Sequence, residues 1–172
     1  ELAVNCKDSE ELLKAYESVL DRYHIDTIDL DIEGEALVDT NSIMRRAEVL
    51  ARLQAKRWAD NKNLAIWLTV PVAPSGLTTE STDAISLMLK AKVDLAGVNV
   101  MTMDYGQSKD KNQSMSLSSQ RALIETHRQL GILYKQAGIN ISDVSLWSKI
   151  GATPMIGQND IADEVFSLED AK

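Results

Sequence analysis

Asp26-Thr27-Ile28-Asp29-Leu30-Asp31-Ile32-Glu33 alternates acids with aliphatics. In a strand, residues two apart share a face. Asp29, Asp31 and Glu33 therefore line one side, and Ile28, Leu30 and Ile32 the other. Taken alone, the alternation suits a strand with one solvated face, such as an antiparallel edge strand. The segments on either side argue for something else.

Upstream, Asp8-Ser9-Glu10-Glu11 is a helix start, a capping residue followed by acids that favour the positive end of the helix dipole. Leu12, Leu13, Tyr16, Val19, Leu20 and Tyr23 then recur at helical spacing. Downstream, Thr40-Asn41-Ser42 opens a second helix, with Ile43, Ala47, Leu50, Ala51, Gln54 and Trp58 along one side and Trp58 expected in the core. Leu64 to Pro71 reads as a buried strand, Thr78 to Lys92 as a helix, and Val93 to Met103 as a third strand. A polar loop from Gln107 to Ser116 leads to a long helix, Ser118 to Gly138, with Gly138 as its stop. Val144 to Ala152 reads as a fourth strand, carrying Trp147.

Strands alternating with helices imply a parallel sheet with helical crossovers. The class is α/β, and no linker or composition shift divides residues 1–172, so one domain is expected. A complete eight-fold β/α barrel needs roughly 200 residues or more. From the pattern alone, an open sheet fits better.

Composition narrows the partners. The 172 residues carry a formal charge of −8. Such a field opposes phosphate backbones and anionic lipid, so neither nucleic acid nor a membrane is expected as a partner. A neutral polymer meets no such opposition. Cys6 is the one cysteine, which rules out an internal disulfide and reads as a small packed residue. No apolar run nears the roughly 20 residues of a spanning helix, and no basic start followed by an apolar segment opens the chain. His24 and His127 have no partner at ligand or triad spacing.

A strand between crossover helices is expected in the interior. Carboxylates there are costly unless paired, hydrogen-bonded or protonated. Residues two apart along a strand lie about 6–7 Å from one another. Carboxyl groups at that range couple, and a protonated carboxylic acid beside a carboxylate is what general acid catalysis requires. Clustered carboxylates also suit Mg²⁺ or Ca²⁺. No glycine loop that would cradle a phosphate accompanies such a metal here.

The form D-x-x-D-x-D-x-E over Asp26 to Glu33 resembles the signature of family 18 glycoside hydrolases, the chitinases and their relatives. Met101-Thr102-Met103-Asp104-Tyr105-Gly106 is similar to the family's sixth-strand motif, with Met103 where the common pattern has Tyr. Leu68-Thr69-Val70-Pro71 with Pro74-Ser75-Gly76-Leu77 resembles the fifth strand and its loop. Trp147 and the stretch Gly151 to Asp160 resemble the seventh. The resemblance implies part of a TIM barrel, a (β/α)8 fold, from after strand 3 through strand 7. It also implies that the chain is a piece of that catalytic domain.

The resemblance further implies a hydrolase of chitin or chitooligosaccharides, retaining and substrate-assisted, needing neither metal nor organic cofactor. Glu33 is then the general acid and base. Asp31 holds the substrate's acetamido group and Asp29 backs Asp31. Asp104, Tyr105, Met101 and Met103 form the substrate-binding stretch, although both methionines also read as packing residues. Asp26, of opposite parity, has a structural role. The alternatives are a sugar-binding relative without activity on the same fold, or an inactive fragment of the enzyme; the intact Glu33 argues against the sugar-binding relative. Secretion follows from the family alone. Exposed sheet edges imply association with another copy or with further chain.

Overall fold

The structure, a computed structural model, describes residues Glu1–Lys172. A short helix α1 (Leu2–Asn5) precedes α2 (Ser9–Tyr23), β1 (Thr27–Asp31), α3 (Gly34–Val38), α4 (Thr40–Ala59) and β2 (Ala65–Ala73). There follow β3 (Gly76–Leu77), α5 (Thr79–Lys90), β4 (Leu95–Met101), α6 (Met115–Gln136), α7 (Asp143–Trp147) and β5 (Ile150–Thr153). The chain closes on a small hairpin, β6 (Gly157–Gln158) with β7 (Val165–Phe166).

Strands β1, β2, β4 and β5 lie side by side in that order and all run parallel; β3 adds an antiparallel pair to the end of β2. The class is α/β. Each long helix begins at a side chain that takes up free backbone N–H groups. Asp8 accepts from Glu10 N and Glu11 N, Asp39 from Ser42 N, Thr78 from Ser81 N and Ser114 from Leu117 N. After α6, Gly138 turns the chain at φ +75°, as a residue without Cβ does readily.

One face of the sheet is apolar and covered. Ile66, Leu68, Val70, Val98 and Val100 are buried there with Leu50 and Leu53 of α4, Ile85 and Met88 of α5, and Leu130 of α6. These residues belong to one contiguous core. Within it Arg46 is fully buried, its guanidinium bonded to Glu1 Oε2 at 2.5 Å. Burial pushes the Glu1 carboxyl up, but the Arg46 bond and charge outweigh this and hold it below the usual carboxylate range. Arg45 ties the same segment down, donating to Ala3 O and Cys6 O.

Several sequence expectations change. Within this chain β1 pairs with β2 on one side only, and Asp29 and Asp31 are exposed. Glu33 stands beyond the strand end, still extended at φ −144°, just before Gly34 turns into α3 at φ +53°. Trp58 is not core: it is 79% exposed, because the buried stripe of α4 ends at Leu53. The expected strand from Val144 begins as helix. Ser142 caps Ser145 N and starts α7, which carries Trp147 onto a helix end, and only Ile150–Thr153 pair as strand. No helix is long and apolar enough to cross a membrane.

Candidate active site on the open face of the sheet

Parallel register carries the acid alternation of β1 across the sheet. Asp29 pairs in register with Trp67 and Asp31 with Thr69; Trp67 then pairs with Gly97 and Thr69 with Asn99, which pairs with Gly151. Pro71, Met101 and Thr153 stand in register one step further along. All of these are on the face opposite the helix-packed aliphatics, because partners in register share a side and alternate residues change it.

The polar members connect. Thr69 Oγ1 donates to the Asp29 carboxylate, lying 2.8 and 2.9 Å from its two oxygens. Asn99 Nδ2 donates to Thr69 Oγ1 at 3.1 Å and to Thr153 Oγ1 at 2.5 Å. A hydrogen-bonded ladder thus crosses β1, β2, β4 and β5. Two glycines make room for side chains that lean across it. A Cβ on Gly97 would come within 2.2 Å of the Trp67 ring, and one on Gly151 within 2.7 Å of Asn99 Oδ1. Pro71 is tolerated in β2 because it faces β1 where β1 has already ended. Its carbonyl accepts instead from Ser81 Oγ at 2.9 Å.

Asp29, Asp31 and Glu33 lie toward the C-terminal ends of parallel strands and are exposed. No lysine, arginine or histidine forms an ion pair with any of them. No three carboxylate, imidazole or thiol groups converge as metal ligands. Asp26 is exposed at the start of β1 and accepts from the Thr27 hydroxyl.

Met101 ends β4 on the same face, half-buried, and Met103 and Asp104 follow, also half-buried. Tyr105 is not brought to this face. It is 6% exposed, and its hydroxyl lies 3.4 Å from Ser119 Oγ of α6. Burial pushes the Tyr105 phenol above its ordinary range, offset in part by the Ser119 bond and reinforced by the nearby Glu164.

The turn that carries Asp104 is locked from the loop after β5. Glu164 accepts from Tyr105 N at 2.9 Å and from Gly106 N at 2.7 Å. Asn159 Oδ1 accepts from Asp104 N at 3.3 Å, and Asp104 Oδ1 accepts from Ile161 N at 3.1 Å. Glu164 and Asn159 are each 3% exposed.

Trp67 is half-buried on the open face, while Trp147 stacks on His127 with ring centres 4.1 Å apart. Sequence reasoning missed Thr69, Asn99, Thr153, Asn159 and Glu164 as parts of the site. The glycines inside β4 and β5 were the available signal, since glycine within a strand marks close approach.

The backbone matches a solved chitinase domain closely. Catalytic-site mutants of active domain 2 of a chitinase from Pyrococcus furiosus superpose with a TM-score of 0.82 at 30% identity, over 99% of this chain and 51% of that one. Over nearly its whole length the chain is therefore similar to about half of a solved chitinase domain.

Two further proteins resemble it in sequence. It is 38% identical to the probable bifunctional chitinase/lysozyme of Escherichia coli K12, over 99% of this chain and 19% of that protein. Endochitinase 11 of Metarhizium anisopliae is 37% identical over 99% of this chain and 33% of its own length. The chain therefore spans about a third or less of these two relatives. A second Pyrococcus structure, of catalytic-site mutants complexed with chito-oligosaccharides, matches with a TM-score of 0.78 at 30% identity, over 96% of this chain and 49% of that one. No family model matches the chain.

Proposed function

We propose that this segment carries the acid–base groups of a hydrolase that cleaves β-1,4-linked N-acetylglucosamine polymers with retention of configuration. It corresponds to the part of an eight-stranded β/α barrel from after the third strand through the seventh. The carrying observation is the polar ladder that brings Asp29 and Asp31 onto one open face with Thr69 and Asn99, at the strand ends where barrel enzymes hold their chemistry.

Glu33 gives its proton to the glycosidic oxygen as the bond to C1 breaks. The carbonyl oxygen of the sugar's own N-acetyl group bonds to C1 and closes an oxazolinium-like ring. Asp31 accepts from the acetamido N–H and faces the positive charge that develops. Water then attacks C1 and gives a proton to Glu33, while the bond from C1 to the acetamido oxygen breaks and the N-acetyl carbonyl is restored. Two displacements at C1 return the original configuration. Asp29, held by the Thr69 hydroxyl, backs Asp31 along the strand.

Asp104 positions the acetamido group from the end of β4. Met101 gives that end of the face an apolar edge, and Met103 packs behind it. Tyr105, engaged with Ser119, supports the turn. Action outside the cell belongs to the proposal, since an insoluble polymer is reached there.

Glu33→Gln tests the reading in the protein that carries this segment. Chito-oligosaccharide turnover should fall by about 10²–10⁴-fold while binding is retained. Unchanged turnover rules the assignment out.

A further inference from the structure

The loop after β5 contains a buried acid that the chemistry above does not use. Glu164 is 3% exposed and has no lysine, arginine or histidine as ion-pair partner. Removing a carboxylate from water without a cation is costly, and such a group survives where several donors converge on it. Here the donors are two successive backbone N–H groups, Tyr105 N on Oε2 and Gly106 N on Oε1. Both follow directly on Asp104.

Asp104 itself is strained. Its φ is +47°, a left-handed conformation that a residue with a Cβ adopts at a cost of about 1 kcal/mol or more. Such strain persists only where the surroundings over-determine it. Asn159 Oδ1 accepts from Asp104 N, and Ile161 N donates to Asp104 Oδ1. Asn159 is in turn held by bonds from its own Nδ2 to Met155 O and Gly157 O. One carboxylate oxygen of Asp104 is thus committed to the loop and the other left free.

We infer that Glu164, with Asn159, is a positioning residue that clamps the β4 turn to the β5 loop and so sets the direction of the free Asp104 oxygen toward the substrate's acetamido group. The inference rests on the role proposed above for Asp104. Glu164 touches no substrate. Its bidentate hold on Tyr105 N and Gly106 N keeps Asp104 left-handed, and the pocket for the acyl group keeps its size as a result. Specificity for acetyl over a larger acyl group is the property it controls.

The test compares N-acetyl with N-propionyl chito-oligosaccharides as substrates, in the protein that carries this segment. Glu164→Gln keeps the shape but turns one acceptor oxygen into a donor that opposes a backbone N–H. The ratio of kcat/KM for acetyl over propionyl should fall about tenfold, the size of a pocket discriminating one methylene. A general loss of stability would lower both substrates together and leave the ratio unmoved. Combining Glu164→Gln with Asp104→Asn should give a ratio no lower than Asp104→Asn alone, because the two act through one group. An unchanged ratio, or additive losses, overturns the clamp. Should Asp104→Asn leave both ratio and rate unchanged, the role of Asp104 fails and the clamp with it. If Glu164→Gln does not fold, Asn159→Ala removes the acceptor of the Asp104 N–H and is read against the same two outcomes.

Discussion

Leu30, Leu68, Val98 and Ile150 stand in register across the four strands on one face of the sheet. One residue further along, on the other face, stand Asp31, Thr69, Asn99 and Gly151. The same backbone thus presents an apolar row to the helices and a polar row to the side that no helix covers. On the covered side, neighbours are close-packed and small changes in volume are felt. On the open side Asp29 and Asp31 are exposed and pair with no cation. Stability and chemistry are separated by a one-residue step.

Substitutions can break or sharpen that contrast. Asp31→Asn should give the largest effect and only in chemistry. Losing the charge that faces the developing cation lowers kcat by about 10²–10³-fold, while melting temperature hardly moves because Asp31 is exposed. A large drop in melting temperature would show that the open face also holds the fold. Leu68→Ala is the converse. Leu68 is fully buried, and the substitution should cost about 2–5 kcal/mol in denaturant unfolding.

Charge behaves differently on the two sides as well. Arg46 is buried and paired with Glu1, and its guanidinium holds the folded Glu1 carboxyl below the usual carboxylate range. A depressed acid contributes stability above its unfolded value, and loses it as pH falls through the folded one. Unfolding followed from pH 7 to pH 2 should therefore show stability falling below about pH 4.5, in part through this pair. Glu1→Gln should cost about 1.5–3 kcal/mol at neutral pH and flatten that acid limb. An acid limb that keeps its full slope in the variant would remove the pair from the account.

Gly97→Ala should have the smallest effect, and a mixed one. The new methyl meets the Trp67 ring and must displace it, at about 1–3 kcal/mol. Trp67 fluorescence should change with it, which the other variants leave alone.

The covered face was the more legible in the sequence. Apolar periods and caps at Asp8 and Thr78 outline α2 and α5, and β-branched runs outline β2 and β4. The acid alternation likewise put Asp29, Asp31 and Glu33 on one side. The ladder that joins Asp29 to Thr69 was not legible, because the two residues are 40 apart and only the parallel register brings them together. Trp58 misled because its helical spacing continues a stripe that loses its partner beyond Leu53. Val144 misled because β-branched residues suggest a strand, while the Ser142 cap, which outweighs them, depends on a local backbone turn. Glu164 and Asn159 sit in a loop without periodicity, and their meaning comes from the turn they grip.

If the substrate's own acetamido group attacks C1 on this face, hydrolysis proceeds with retention. The most direct measurement is the anomeric form of the freshly released sugar, read by proton NMR before mutarotation sets in, in the protein that carries this segment. The β-anomer should be the first product. An α-anomer would mean direct attack by water, and would contradict the roles given to Asp31 and Glu33.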